Sequence, residues 1–304
     1  MTNFARRFAN KWLVAIIRVL LVFQTGIVLT GGIVRLTGSG LGCPTWPECV
    51  EGSYTPIEGQ IEGFKSWIEF GNRLLTFALV IACILSILAV LVSKRKDLRL
   101  LVLGQLAGIF GQAILGGITV LTDLHPLPVA GHFILSIILI AGAQSLLTKA
   151  RAPFIRKKLE TNTLHLLARS HVLLTFLVII IGTVVTGSGP HAGDVAAPRF
   201  NFDVRTVAWL HADLVIALLG ISLAYFIYGS TPMTSKRLLK FFFLAAIFQG
   251  SIGYIQYFLG LPEVIVAAHM LGSTLVWICA WKVWLTISKE PTPLIKTDAL
   301  KPIN

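Results

Sequence analysis

The stretch at residues 31–43, GGIVRLTGSGLGC, ends one long apolar run, and the similar stretch IGTVVTGSGPHAG at residues 181–193 ends another. A second pair, GIFGQAILGGITV at residues 108–120 and AIFQGSIGYIQYF at residues 246–258, is rich in Gly and Gln. Small residues let helix backbones approach closely inside a membrane. The order of these pairs along the chain predicts that its second half repeats its first.

The composition indicates an integral membrane protein. Apolar residues make up 55% of the chain and charged residues 13%, and the mean hydropathy is +0.79, so too few polar side chains are present to cover a soluble globule. A helix of about 20 apolar residues crosses roughly 30 Å of hydrocarbon. We therefore predict an all-α membrane protein with eight spans, at residues 12–34, 70–92, 99–121, 128–148, 166–186, 206–228, 239–259 and 264–287.

The repeat predicts how these spans are arranged. Four spans per half is an even number, so the halves should have the same orientation and be related by a pseudo-twofold along the membrane normal. We expect two repeat-related four-helix bundles side by side. The N-terminal half would cover residues 1–148, a basic cytoplasmic linker residues 149–160, and the C-terminal half residues 161–304.

Basic residues predict the orientation. The first apolar run has the length of a full span, so we expect no cleaved signal peptide. Of the 26 Lys and Arg, 21 lie on the side of the termini, which predicts cytoplasmic termini. The net charge of +12 would match anionic membrane lipids. Basic residues split among short loops do not suggest a nucleic-acid partner, and the short termini without a transit peptide favour a bacterial cell membrane.

Polar residues recur near the start of the even-numbered spans. They are Asn72 in IEFGNRLLTF, His132 in PVAGHFILS, His211 in VAWLHADLV and His269 in VIVAAHMLGS. Each lies about one turn inside its predicted helix, and these helices all run inward from the outer face, so the four positions should share one depth. Ionisable residues inside a membrane bundle are costly and usually functional.

The two C-terminal histidines predict a haem site. His211 and His269 come from two helices of one bundle at equal depth, which is how a bundle supplies axial ligands from both faces of a haem. The sequence shows no group of ligands typical of zinc. We expect the remaining histidines to be solvated at the interfaces, with the first two also able to reach a haem propionate: His125, His191, His165 and His171.

The N-terminal half differs at the matching place. It keeps His132 but has Asn72 where its twin has His211, and Glu69 lies three residues before Asn72 on the same helix face. Asn is a poor iron ligand, so this site should hold a macrocycle from one side only. An open face beside a carboxylate suggests a reaction. Alternatively, Glu69 and Arg73 form only an ion pair at the membrane interface.

Two of the four cysteines fall in the first outside loop, LGCPTWPEC. An oxidising compartment would permit a disulfide between Cys43 and Cys49, either as a structural staple or as a redox-active pair. Cys83 and Cys279 lie inside spans, where a small buried apolar role is expected.

Together the eight spans, the EFGNR motif, the outside cysteine pair and the histidines opening helices 4, 6 and 8 resemble the haem A synthase family over residues 12–287. The resemblance implies oxidation of a ring methyl of haem O, by successive hydroxylations, to the formyl group of haem A for terminal oxidases. It implies haem b between His211 and His269, and substrate haem O near Glu69 and His132. Cys43 and Cys49 match the family's cysteine pair, whereas Asn72 departs from its usual histidine.

These observations lead to a hypothesis for the substrate site. We expect His132 to ligate the substrate iron, with Asn72 and Arg73 lining the site and Glu69 stabilising positive charge on the oxidised methyl or steering water. The resemblance also implies partners, namely a farnesylating synthase that supplies haem O and an unidentified electron-transfer partner. A b-type cytochrome electron carrier is the alternative. A transporter is a further rival, but transporters usually place charge near the midplane.

Overall fold

The computed structural model describes residues 3–152, 154–156 and 162–291. Within these residues, eight helices are long and apolar enough to cross a membrane, which confirms the predicted all-α class. They are α1 (Asn3–Leu36), α2 (Phe64–Val92), α3 (Arg99–Leu121), α4 (Pro126–Arg151), α5 (Thr163–Ser188), α6 (Val204–Ile227), α7 (Met233–Phe258) and α8 (Glu263–Ile287). A short antiparallel pair, β1 (Phe154–Arg156) with β2 (Lys289–Pro291), joins the predicted linker to the chain after α8.

The even-numbered helices begin earlier than the hydropathy of the sequence indicates. Asn72 and the three histidines therefore lie nearly two turns inside their helices rather than one, at about 9–12 Å along the helix axis. At α4 and α6 a cap accounts for the difference, because the capping residue is polar and falls outside the apolar run. Asp203 Oδ2 accepts a hydrogen bond from Thr206 N at 2.8 Å at the start of α6, and His125 caps α4 ahead of Pro126.

The helices pack as two closed rings. In the first, α1, α2, α3 and α4 contact in sequence and α4 returns to α1; α5 to α8 do the same. Helices α2 and α4 thus face each other across the first ring, as α6 and α8 do across the second. Between the rings, Trp277 Nε1 of α8 donates to Ile137 O of α4 at 2.8 Å. This arrangement is consistent with the predicted pair of bundles.

The hairpins α3–α4 and α7–α8 show the repeat in detail, because they match at one constant spacing in the sequence. Gln112 Nε2 donates to His132 O at 3.1 Å, and Gln249 Nε2 donates to His269 O at 2.7 Å. The two turns contain leucines in the left-handed region, with φ of 61° and 64°. We call the end of the molecule that holds these turns, residues 37–63 and residues 189–203 the site end.

Candidate functional site

All four polar positions pack in the same way, each against a glycine of the preceding helix. A Cβ added to that glycine would lie 3.1–3.5 Å from the ring Cε1 of a histidine, or 3.9 Å from the amide nitrogen of Asn72. At Gly182 and Gly253 an added Cβ would be closer to the ring than an ordinary contact, so glycine there allows the histidine to lie close to the neighbouring backbone. The pairs are Gly31 with Asn72, Gly116 with His132, Gly182 with His211 and Gly253 with His269.

This packing selects the nitrogen that each histidine presents. The Cε1 and Nδ1 edge of the ring faces the glycine, and Nδ1 is buried in His132, His211 and His269. Nε2 is therefore the nitrogen available to a ligand. Each histidine is only half-buried as a residue, so the rest of the ring faces accessible space.

The C-terminal pair fits a haem. His211 and His269 come from α6 and α8, which face each other across the second ring of helices, and each lies about 9–11 Å along the axis from the start of its helix. A neutral imidazole bound through Nε2 is a standard haem ligand. The predicted pairing of the two histidines at one depth is thus present in the fold, while iron binding itself stays a prediction.

The N-terminal position offers one imidazole and one amide. His132 is placed by α4 as His269 is by α8, but α2 supplies Asn72. Thr30 Oγ1 of α1 lies 2.7 Å from Asn72 Oδ1. In the C-terminal half, the residue before the packing glycine is Ile181, so the polar partner and the amide both belong to the N-terminal half.

Glu69 and Arg73 form the ion pair that the sequence raised as an alternative to a catalytic Glu69. Arg73 Nη2 lies 2.7 Å from Glu69 Oε1 and Nε lies 3.1 Å from the same oxygen. The pair is not at the surface, because Glu69 is only 6% exposed. Its other oxygen accepts a hydrogen bond from Cys43 N at 2.8 Å. The carboxylate is therefore held in one orientation from two sides.

The same pair holds the first loop in place. The disulfide between Cys43 and Cys49 is formed, and both residues are fully buried. Arg73 donates to the loop carbonyls of Cys43 at 3.0 Å, Thr45 at 3.1 Å and Glu48 at 3.0 Å. Because thiol exchange requires access to the sulfur atoms, their burial favours the structural role over the redox role.

Residues 43–49, which we call the disulfide loop, cover the N-terminal site. The indole of Trp46 lies on Gly117 of α3, where an added Cβ would be 2.7 Å from Cδ2. Gly117 adjoins Gly116, which packs against His132. One covalently closed loop thus connects the ion pair on α2 to the histidine site at the α3–α4 hairpin.

Several interactions at the site end are not evident from the sequence. Arg35 of α1 donates from Nη2 to Thr186 O at 2.8 Å and from Nε to His191 O. His191 Nε2 in turn lies 2.8 Å from Leu261 O. Arg35 therefore joins the first half of the molecule to the second. The signal for this contact in the sequence was the position of Arg35 next to the repeated glycine motif.

The expected solvation of two histidines is wrong. His165 is 3% exposed and His171 is fully buried, because α5 begins at Thr163 and carries both inside the bundle. His171 Nδ1 lies 2.9 Å from Ser222 Oγ of α6. His125, by contrast, is exposed. Cys83 is buried and Cys279 half-buried, as free cysteines.

Comparison with known proteins places this geometry in a family. Residues 11–200 match the family COX15-CtaA, described as cytochrome oxidase assembly protein. A heme A synthase of Shewanella oneidensis is 24% identical over 86% of this chain and 92% of the relative, and one of Azorhizobium caulinodans is 25% identical over 90% and 92%. A heme A synthase of Bacillus pumilus is 33% identical over 43% of each chain. The family match spans most of the chain, so this protein belongs to the COX15-CtaA family of cytochrome oxidase assembly proteins.

Proposed function

We propose that this protein is a haem A synthase, a membrane oxidoreductase that converts a ring methyl of haem O into the formyl group of haem A. Family membership supports the reaction class. The observation that carries the assignment of the two halves is the inequality of their sites. One has histidines on the two helices that face each other across its ring, and the other has a histidine on one such helix and a buried, oriented carboxylate on the opposite one.

The C-terminal half, residues 161–304, would hold a resident haem b between His211 and His269. When bound there, haem b supplies one-electron transfer. The protein's contribution is to fix both imidazoles with their Nδ1 edges against Gly182 and Gly253. Gln249 holds the backbone of His269 at 2.7 Å. A site fixed on both faces favours electron transfer over ligand exchange.

The N-terminal half, residues 1–148, would receive substrate haem O, with His132 as the protein's iron ligand. Glu69 would stabilise positive charge at the methyl being oxidised or orient a water molecule. An ionised carboxylate has about four lone-pair positions, so the hydrogen bonds from Arg73 and Cys43 leave acceptor capacity free. Each hydroxylation would take two electrons and a proton from the methyl carbon, with the electrons leaving to the electron-transfer partner and a water molecule supplying the hydroxyl group and releasing a second proton. After the second hydroxylation, loss of water from the diol leaves the formyl group.

The disulfide loop would exclude bulk water from this site. It is closed by the Cys43–Cys49 bond, fixed by Arg73, and placed over the α3–α4 hairpin through Trp46. Excluding water strengthens the electrostatic effect of a fixed carboxylate. An intact disulfide also fits the oxidising, outer side of a bacterial cell membrane, and with that orientation both termini and the linker of residues 149–160 would lie in the cytoplasm.

The proposed reaction requires two partners. Haem O would come from a farnesylating membrane synthase, and an electron-transfer partner, unidentified here, would act through the haem b site. The alternative of a b-type cytochrome electron carrier draws support from the Glu69–Arg73 ion pair, because its contacts with the disulfide loop suffice for a structural role.

The test is haem analysis in a bacterium that makes haem O but lacks its own haem A synthase. Membranes from cells expressing the wild-type chain should contain haem A on extraction and chromatography. Glu69→Ala should abolish haem A while retaining haem b. Asp97→Asn, which breaks the Arg95–Asp97 ion pair far from the site end, is the matched control and should leave haem A unchanged. Wild-type membranes with haem O and haem B only would contradict the proposal.

A further inference from the structure

Thr30 and Asn72 form a polar pair that has no counterpart in the other half. Thr30 Oγ1 lies 2.7 Å from Asn72 Oδ1. At the corresponding places, the C-terminal half has Ile181 and His211. An isoleucine beside an asparagine would leave a half-buried amide oxygen without a partner. The two differences between the halves therefore indicate that Thr30 and Asn72 act together.

Asn72 cannot perform the task of His211. Haem iron in proteins is held by His, Cys, Met or Tyr side chains, and a neutral amide is not among them. The amide also packs less closely than the histidines, since a Cβ on Gly31 would be 3.9 Å from Nδ2, against 3.1–3.5 Å at the three histidine positions.

The hydrogen bond with Thr30 determines which end of the amide is free. The single hydroxyl proton of Thr30 is donated to Asn72 Oδ1 at 2.7 Å, the shorter of its two acceptor distances, while Ile27 O lies 3.2 Å away. With Oδ1 engaged, the Nδ2 group keeps its two donors. Asn72 thus offers a neutral donor at the depth of His132, from the helix on the opposite side of the ring.

We propose that the N-terminal haem site keeps an exchangeable coordination position on the α2 side, where Asn72 Nδ2 donates a hydrogen bond to a small neutral ligand such as a diatomic gas or water. Thr30 is a positioning residue that acts through Asn72. The inference rests on the proposed function, because it requires a haem on His132. The protein would then supply one ligand to the iron in the N-terminal half and two in the C-terminal half.

Carbon monoxide is the probe that tests this proposal. The full-length purified protein would be saturated with haemin, reduced with dithionite and titrated with carbon monoxide while the Soret band is recorded. We expect one of the two haems per chain to bind carbon monoxide. His132→Ala should remove the haem that binds it, and Asn72→His should retain both haems but abolish binding, because the exchangeable position is filled.

The vibrational spectrum of the carbon monoxide complex tests the hydrogen bond itself. Asn72→Leu should keep binding, raise the C–O stretching frequency and speed dissociation about tenfold, the size expected for one lost hydrogen bond. Thr30→Val, which keeps the shape of the side chain, should shift both quantities in the same direction by less. A purely structural Thr30 would leave the C–O stretch unchanged.

The matched control transfers the pair to the other half. Ile181→Thr combined with His211→Asn should create a second haem that binds carbon monoxide. If the wild-type chain holds two haems that are both inert to carbon monoxide, the inference is wrong and the proposed function stands. If the chain never binds more than the haem held by His211 and His269, the proposed function itself is contradicted.

Discussion

The first hairpins of the two halves share a backbone plan but differ in nearly every polar side chain. In both, a glycine of the odd-numbered helix packs against a polar residue on the next helix. The α1–α2 hairpin has Thr30, Glu69, Asn72 and Arg73, where α5–α6 has Ile181, Ala208, His211 and Ala212. The second hairpins, in contrast, match down to the glutamine that holds the histidine backbone. The repeated backbone thus sets where the polar residues lie in both halves. A few side chains of the α1–α2 hairpin then give the N-terminal site a different chemistry.

The two first hairpins also stabilise their helix starts differently. Helix α6 begins with the side-chain cap of Asp203, whereas α2 begins after Gly63 without a side-chain cap. Helix α2 is instead tied to the disulfide loop through Glu69 and Arg73. Residues that could act on a substrate are therefore also the residues that order the loop above it.

The largest effect should come from removing a histidine that the halves share. His269→Ala should lose the C-terminal haem and leave the N-terminal one, and His132→Ala should do the reverse, because each would take away a protein ligand to one iron only. Pyridine haemochrome analysis of the purified variants would count the haems. Loss of both haems from either variant would mean that the two sites are not independent.

The next effect concerns the stability that the disulfide gives to the folded protein. Replacing Cys43 and Cys49 together by Ser should lower the free energy of unfolding by about 2 kcal/mol, the chain-entropy value for so short a loop. Thermal unfolding of the purified protein measures this change. Cys279→Ala, which alters a half-buried free cysteine in α8, is the control. An unchanged melting temperature for the double variant would show that the disulfide does not stabilise the fold.

A graded effect should follow from the packing glycines. Alanine at Gly253 or Gly182 would place a Cβ 3.1 or 3.2 Å from a histidine ring, at Gly116 3.5 Å, and at Gly31 3.9 Å from Asn72. Because displaced ligands bind metal about tenfold or more weakly, haem retention should fall most at Gly253 and Gly182, less at Gly116, and least at Gly31. Haem retention during gel filtration would give the order. A loss greatest at Gly31 would show that the amide position is packed as tightly as the histidines.

The smallest effect should be at the α6 cap. Hydrogen bonds from Thr206 lower the pKa of the Asp203 carboxyl, so the cap stabilises the fold above the ordinary pKa of an aspartate, and this contribution disappears as the pH falls through the lowered value. Asp203→Ala should lower the melting temperature slightly at neutral pH and leave it unchanged in strong acid. Melting temperatures recorded across pH would show this. An equal loss at every pH would point to packing instead.

The sequence predicted the parts of this structure that are written in local patterns. Apolar runs predicted the eight helices, and the repeat predicted that His132, His211, His269 and Asn72 would share a depth. The depth itself was underestimated, because these helices begin before their apolar runs, as α2 does at Phe64 and α6 does after its Asp203 cap.

Contacts that depend on distant parts of the chain could not be predicted. No local pattern indicates that Trp46 lies on Gly117 or that Arg73 donates to three loop carbonyls. Nor does any indicate the hydrogen bond between His171 and the Ser222 hydroxyl inside the bundle. The glycines of α3, α5 and α7 were visible in the sequence. Their contact with the histidines of the following helices is evident only once the helices are packed. Thr30 carried no signal until its distance from Asn72 was known.

The central claim is that the two halves hold different haems for different purposes. Extraction and chromatography of the haems bound to the purified protein, from cells that also make haem O, tests it most directly. We expect one equivalent of haem B, together with haem O, haem A or a hydroxylated form between them. Two equivalents of haem B with no other haem would contradict the claim and favour an electron carrier built on the same fold.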